Sequence, residues 1–122
     1  DLVRSRGLGD VYKRQALNRV YYSMFYAALA LLSIKQLSAS KHSGVLSLFH
    51  REFVKTGLVS PEVAKFLDIA FDLRSKSDYR DFVVPEKSRV RELWRESEIF
   101  IKTIESTLKN LIGMNTAQRR RK

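Results

Sequence analysis

Apolar residues recur at helical spacing along most of this chain. Leu17, Val20, Tyr21, Met24, Phe25, Ala28, Leu31 and Leu32 fall three and four apart, and no Gly or Pro interrupts the stretch from Ala16 to about Lys35. That pattern predicts an amphipathic α-helix. Tyr22, Tyr26 and Leu29 widen its apolar surface to a second side, as expected of a helix that is central in a bundle or lies in an interface. After a polar link over Gln36–Ser40, Ser40 is positioned to cap a second helix running to about Thr56. Its inward residues are Val45, Leu46, Leu48, Phe49 and Phe53, and Gly57 is its stop.

The third helix has a strong start: Ser60 at the N-cap, Pro61 in the first helical position and Glu62 in the first turn. Val63, Phe66, Leu67, Ala70 and Leu73 give it a buried stripe that fades near Ser77, and a mixed polar and aromatic turn follows over Asp78–Val84. Pro85-Glu86 opens the longest helix, expected to reach Ile112 and stop at Gly113. Trp94, Ser97, Ile101, Ile104, Leu108 and Leu111 read as its a/d seam. Four helices, short links and no alternating strand pattern predict an all-α, antiparallel up-and-down bundle. Gly44, inside the second helix, costs stability there, and a close helix approach accounts for it better than chemistry does.

Composition narrows the chemistry. A length of 122 residues supports one hydrophobic core. With no cysteine, disulfides, thiolate metal sites and a cysteine nucleophile are excluded. The longest nearly apolar run, Met24–Ile34, is about half of the ~20 residues that a membrane span needs. A cytoplasmic protein with no membrane association is the expectation. Net charge is +10, but unevenly placed. Residues 16–60 hold five basic groups and one acidic, residues 61–118 hold ten of each, and Arg119-Arg120-Arg121-Lys122 ends a basic tail over 114–122, expected to fray. A basic excess in the first half of the fold favours a polyanionic partner such as RNA.

The first fifteen residues read differently from the rest. Asp10-Val11-Tyr12-Lys13-Arg14-Gln15 can be written GAT GTG TAT AAG AGA CAG, the end sequence recognised by the transposase of tagmentation libraries. Upstream, TCT CGT GGG CTC GGA encodes Ser5-Arg6-Gly7-Leu8-Gly9 and continues into the adjoining sequencing adapter. Residues 1–15 are therefore expected to be translated adapter. On that reading the bundle proper spans 16–113 and the natural N-terminus is displaced.

Four blocks then stand in order: Asn18-Arg19-Val20-Tyr21-Tyr22-Ser23-Met24-Phe25, Lys41-His42-Ser43-Gly44-Val45, Phe53-Val54-Lys55-Thr56-Gly57 and Leu73-Arg74-Ser75-Lys76-Ser77-Asp78-Tyr79. Together they resemble the HEPN domain family (higher eukaryotes and prokaryotes nucleotide-binding) over about residues 16–110. The resemblance implies a further helix before the first block, a homodimer, and a partner nucleotidyltransferase in a toxin–antitoxin module. It also implies binding of RNA or nucleotides, or metal-independent RNA cleavage by an Arg, four to six residues, then a His. Here Arg74 is followed by four residues and Tyr79. A phenol with an ordinary pKa of about 10 is a weak base at neutral pH, although it can donate a hydrogen bond or stack on a base. The candidate catalytic set implied is Arg74, Asp78 and Tyr79. Arg19, Lys41, His42, Lys76 and Arg80 are candidate RNA contacts. A non-catalytic protein-interaction bundle is the alternative.

Individual residues also have plainer readings. Arg74 and Asp78 are spaced for a helix-end ion pair beside a packed Tyr79, and Arg19 for an internal pair with Asp72 or Asp78. His42 reads as a surface cap residue. His42 and His50 are eight residues apart, about 12 Å along a helix, too far to share a metal. No Gly-rich phosphate loop or carboxylate cluster occurs, and neither metal nor cofactor is expected.

Overall fold

The computed structural model describes residues 2–121, with side chains described for residues 9–114. The described residues form an all-α bundle: α1 Leu2–Ile34, α2 His42–Phe49 extended by a π-helical turn His50–Val54, α3 Pro61–Lys76 and α4 Lys87–Arg121. All eight residues of the predicted α1 stripe are buried, from Leu17 to Leu32. They meet Val45, Leu46, Phe49 and Phe53 of α2, Ala64, Leu67 and Ala70 of α3, and Val90, Leu93, Phe100 and Ile104 of α4. Phe49 sits between Phe53 and Phe100, at ring separations of 6.2 and 5.8 Å.

The ends of the helices follow from local chemistry. Ser60 accepts a hydrogen bond from the Val63 N–H at 3.3 Å, with Pro61 following, as predicted. Gly57 adopts φ +84 and terminates the second helix. At the end of α1 the Leu37 N–H donates to Leu32 O and the Gln36 N–H to Ser33 O. This is a Schellman closure with Gln36, φ +57, in the left-handed position usually taken by Gly.

Several expectations are corrected. Lys41, not Ser40, is the N-cap of α2, and no side chain caps it. The close approach at Gly44 is to the preceding link: a Cβ there would lie 2.9 Å from Ala39 Cβ. Gly113 does not stop α4, which runs on to Arg121. A helical Gly costs only about 1 kcal/mol, which a long run of good helix formers absorbs. The seam of α4 is rotated from the predicted one: Val90, Leu93, Ser97, Phe100, Ile104 and Thr107 are buried, whereas Trp94 is 45% exposed. Both rows pass through Ser97 at spacings of three and four, and the larger apolar volume of Phe100 against Phe49 selects the observed one.

The chain path also departs from a simple up-and-down order. Tyr21 contacts His42, and Lys35, fourteen residues on, pairs with Glu52 at 3.3 Å. So α2 runs alongside α1 in the same direction, and the link from Lys35 to Lys41 returns along the bundle. It can do so because seven extended residues span about 23 Å, the rise of some fifteen helical residues. Arg74, near the end of α3, meets Asn18, near the start of the buried stretch of α1, so α3 runs antiparallel to α1. This path brings the start of α2 and the end of α3 together beside the middle of α1.

Candidate nucleic-acid interface

Asn18, Tyr21, Tyr22 and Phe25 occur at i, i+3, i+4 and i+7 and so share one side of α1. Tyr21 and Phe25 are buried, at 1% and 4% exposure, and anchor the row in the core. Asn18, one turn before them, is exposed. There it meets Arg74, whose Nε donates to Asn18 Oδ1 at 2.7 Å. Arg74 Nη1 donates to Ser77 Oγ at 3.1 Å and pairs with Asp78 Oδ2 at 3.3 Å. Ser77 Oγ in turn donates to the Arg74 carbonyl at 2.7 Å, closing the C-terminus of α3.

The guanidinium is therefore oriented at three points, while its Nη2 has no hydrogen-bond partner among the described residues. It borders a cleft of about 270 Å³ with Arg14, Gln15, Leu17, Asn18, Ser77 and Asp78. Arg14 donates to the Ser77 carbonyl at 2.6 Å and lies 5.3 Å from the Phe82 ring centroid. Arg74 and Asp78 thus line a small cleft of mixed polar and apolar surface, and its second guanidinium, Arg14, lies in the segment 1–15 read as translated adapter. Asp78 is 84% exposed, so water weakens its hold on Arg74 and leaves the cleft receptive to an anion.

Beside the cleft, the Tyr21 hydroxyl lies 2.8 Å from His42 Nδ1. Burial raises the Tyr21 pKa to about 12, the neighbouring Tyr22 adds to the rise, and Arg74 opposes it. The phenol stays protonated at any physiological pH, so it donates to Nδ1 when the imidazole carries its proton on Nε2 and accepts from Nδ1–H in the other tautomer. The imidazole stacks on Phe25 at 4.1 Å between centroids and meets Tyr22 edge-on at 6.0 Å. His42 is nonetheless an exposed residue, positioned by aromatic contacts on its inner side.

The structure brings Arg74 and Asp78 together as the spacing suggests, but not Tyr79. Tyr79 is 70% exposed, held only through backbone bonds to Lys76 and Phe82, and is not the packed tyrosine of the plainer reading. Arg19 does not pair with Asp72 or Asp78: it is exposed, Asp72 is taken by Lys76 at 3.0 Å, and Asp78 is taken by Arg74. The outward row of α1 points Arg19 to solvent, where no desolvation cost demands a partner. Lys41 and Arg80 are exposed and make no ion pair among the described residues. His42 is more than a cap residue because of its bond to Tyr21. Ser77 and Tyr21 join the site through contacts that no spacing in the sequence announces. Asn18 carried one signal, its offset of four from Tyr22 on the same row. No three of His, Cys, Asp and Glu cluster among the described residues, and no described helix is long and apolar enough to cross a membrane.

The chain is similar to known proteins. A family model described as HEPN domain matches residues 8–107. A UPF0332 protein of Thermotoga maritima is 47% identical over 96 residues, covering 79% of this chain and 73% of the relative. Two Methanocaldococcus jannaschii proteins are also similar. The first, named Putative toxin MJ0142, is 37% identical over 82% of this chain and 66% of its own length. The other, named Putative toxin MJ0605, is 32% identical over 81% and 73%. No solved structure matches the chain.

Proposed function

The chain belongs to the HEPN domain family, and on that footing we propose that it is a toxin-type module that binds RNA, with Arg74 as the phosphate contact. The observation that carries the reading is the oriented guanidinium: three of its bonds go to Asn18, Ser77 and Asp78, and Nη2 is left for a ligand. A guanidinium fixed in this way meets a phosphate with little further loss of side-chain freedom. The toxin names of two relatives support a role of this kind. A homodimer and a nucleotidyltransferase partner belong to the same reading.

Fluorescence anisotropy with a labelled single-stranded oligoribonucleotide tests it. A charge-assisted contact is worth about 1.5–3 kcal/mol, so Arg74→Ala weakens binding by about ten- to a hundredfold. Arg74→Lys recovers only part of that, because an ammonium cannot reproduce the fork held by Asn18 and Asp78. Unchanged affinity in a folded Arg74→Ala protein, checked by circular dichroism, would sink the assignment. Binding by neither folded protein would leave a protein-interaction bundle.

A second reading, metal-independent cleavage, is favoured by His42. The Tyr21 hydroxyl, whose charge environment includes Arg74, fixes Nδ1 of an exposed imidazole. In the tautomer whose Nδ1–H donates to the Tyr21 oxygen, Nε2 is bare. It can take the proton of a ribose 2′-hydroxyl as that oxygen attacks the adjacent phosphorus and the 5′-oxygen departs, taking a proton from water. Cleavage in chelator that is lost in His42→Ala while RNA binding remains is the expected result. Equal cleavage by both proteins would remove His42 from the chemistry.

A further inference from the structure

Tyr26 is 62% exposed. It buries too little surface to be explained by packing, yet it is not isolated. Its ring stacks on Tyr22 at 5.9 Å and 29°, and Tyr22 meets His42 edge-on at 6.0 Å. Three aromatic rings therefore follow one another across the surface, from the middle of α1 to the start of α2. The row is supported from beneath by buried Phe25, which stacks with His42 and meets Tyr26 edge-on at 5.9 Å.

Charge around this row has one sign. Arg19 precedes Tyr22 by three residues on the same exposed side of α1, and Lys41 adjoins His42. Both are exposed and make no ion pair among the described residues. No Asp or Glu occurs between Asp10 and Glu52, so α1 beyond Asp10 and the whole of α2 supply no carboxylate to this face. On α3 and just beyond it, Asp72 and Asp78 are engaged with Lys76 and Arg74. Tyr26 lies eight residues beyond Asn18, about 12 Å along the helix from the Arg74 clamp.

We propose that the Tyr26–Tyr22–His42 row is a stacking platform for unpaired nucleobases, flanked by Arg19 and Lys41 for the phosphates on either side. This rests on the RNA-binding reading and specifies its substrate class as single-stranded RNA. Aromatic rings interleaved with unpaired cations suit a strand that offers π-faces and phosphates together. A duplex hides its bases and offers only the phosphates. A protein partner would require acidic groups matched to Arg19 and Lys41 as well as an apolar anchor for Tyr26.

The experiment uses the full chain and two fluorescein-labelled probes of equal length and charge, a single-stranded oligouridylate and its abasic ribose-phosphate counterpart. Stacking of one base is worth about tenfold in affinity. The wild type is expected to bind the oligouridylate about tenfold more tightly than the abasic probe. Tyr26→Ala abolishes that preference, and Tyr26→Phe keeps it. A preference that survives Tyr26→Ala overturns the proposal. So does a Tyr26→Ala protein that sediments as a smaller species with unaltered RNA affinity, which would give the face to a second copy of the chain. Equal wild-type binding of both probes removes the platform but leaves the Arg74 reading standing. Binding of neither probe removes both.

Discussion

Replacing Tyr21 by Phe deletes a single oxygen from the centre of the site. The ring is 1% exposed and packs against Tyr22, Phe25 and Phe71 at centroid distances of 5.1, 5.6 and 6.0 Å, contacts that Phe retains. What is lost is the 2.8 Å hydrogen bond to His42 Nδ1. Because His42 is exposed, water can take the vacated place, and no buried group is left unsatisfied. The expected cost at pH 7 is therefore that of one neutral hydrogen bond, about 1 kcal/mol, or a fall of about 3–5 °C in Tm for a domain of this size.

The pH dependence supplies the sharper test. The Tyr21 pKa is raised from 10.0 to about 12 in the folded protein. A raised folded pKa means that the native state holds its proton more tightly than the unfolded chain does. The associated stability is fully present below pH 10 and is lost as pH climbs toward 12. Between pH 9 and 11 the wild type should lose about 1.3 kcal/mol through this group, and Tyr21→Phe should lose none of it. The gap between the two proteins should thus close by pH 11 or slightly reverse. Thermal melts at pH 7, 9 and 11, with a phenolate absorbance titration, read this directly. Parallel melts at every pH, with no titration step near 12 removed by Tyr21→Phe, would refute both the burial and the bond.

Other positions make independent predictions. Gln36→Gly should stabilise the fold by about 0.5–1 kcal/mol in urea melts, because Gln36 occupies a left-handed conformation at φ +57. Gly44→Ala should destabilise by about 1–3 kcal/mol, since its Cβ would meet Ala39 Cβ at 2.9 Å; an unchanged midpoint would mean that the link yields freely. Phe100→Ala should cost about 3–5 kcal/mol by opening a cavity against Phe49, whereas Trp94→Ala, at 45% exposure, should cost much less. We also propose that residues 1–15 are translated adapter. The coding DNA should then read GAT GTG TAT AAG AGA CAG over Asp10–Gln15, and other codons there would end that reading.

The core of α1 was legible because its apolar residues form one unambiguous stripe, and Leu17 to Leu32 are buried as read. Ser60 and Gly57 were legible because capping and left-handed turns are local chemistry. The seam of α4 was not, because rows through Leu93 and Phe100 and through Trp94 and Ile101 both have helical spacing. Only the position of Phe49 on another helix separates them. The direction of α2 was hidden for a similar reason. A seven-residue link is long enough either to turn the chain or to carry it back along α1, and no local signal distinguishes the two.

The site divides along the same line. The Arg74–Asp78 pair follows from a spacing of four on one helix. The bonds from Arg74 to Asn18 and from His42 to Tyr21 join residues 56 and 21 positions apart. They exist only because the end of α3 and the start of α2 both reach the middle of α1, around Asn18 and Tyr21. Tyr79, suggested by its place after Arg74, projects into solvent because the helix ends three residues before it, at Lys76, and its side chain no longer follows the helical row.

The most direct test of the central claim is the salt dependence of RNA binding by the wild type and Arg74→Ala. If Arg74 holds a phosphate, log K falls linearly with log salt concentration for both proteins, and the Arg74→Ala slope is shallower by about one counterion, uniformly across RNA sequences. Superimposable slopes and equal affinities for two folded proteins would contradict the account, because a guanidinium that releases no counterion touches no phosphate.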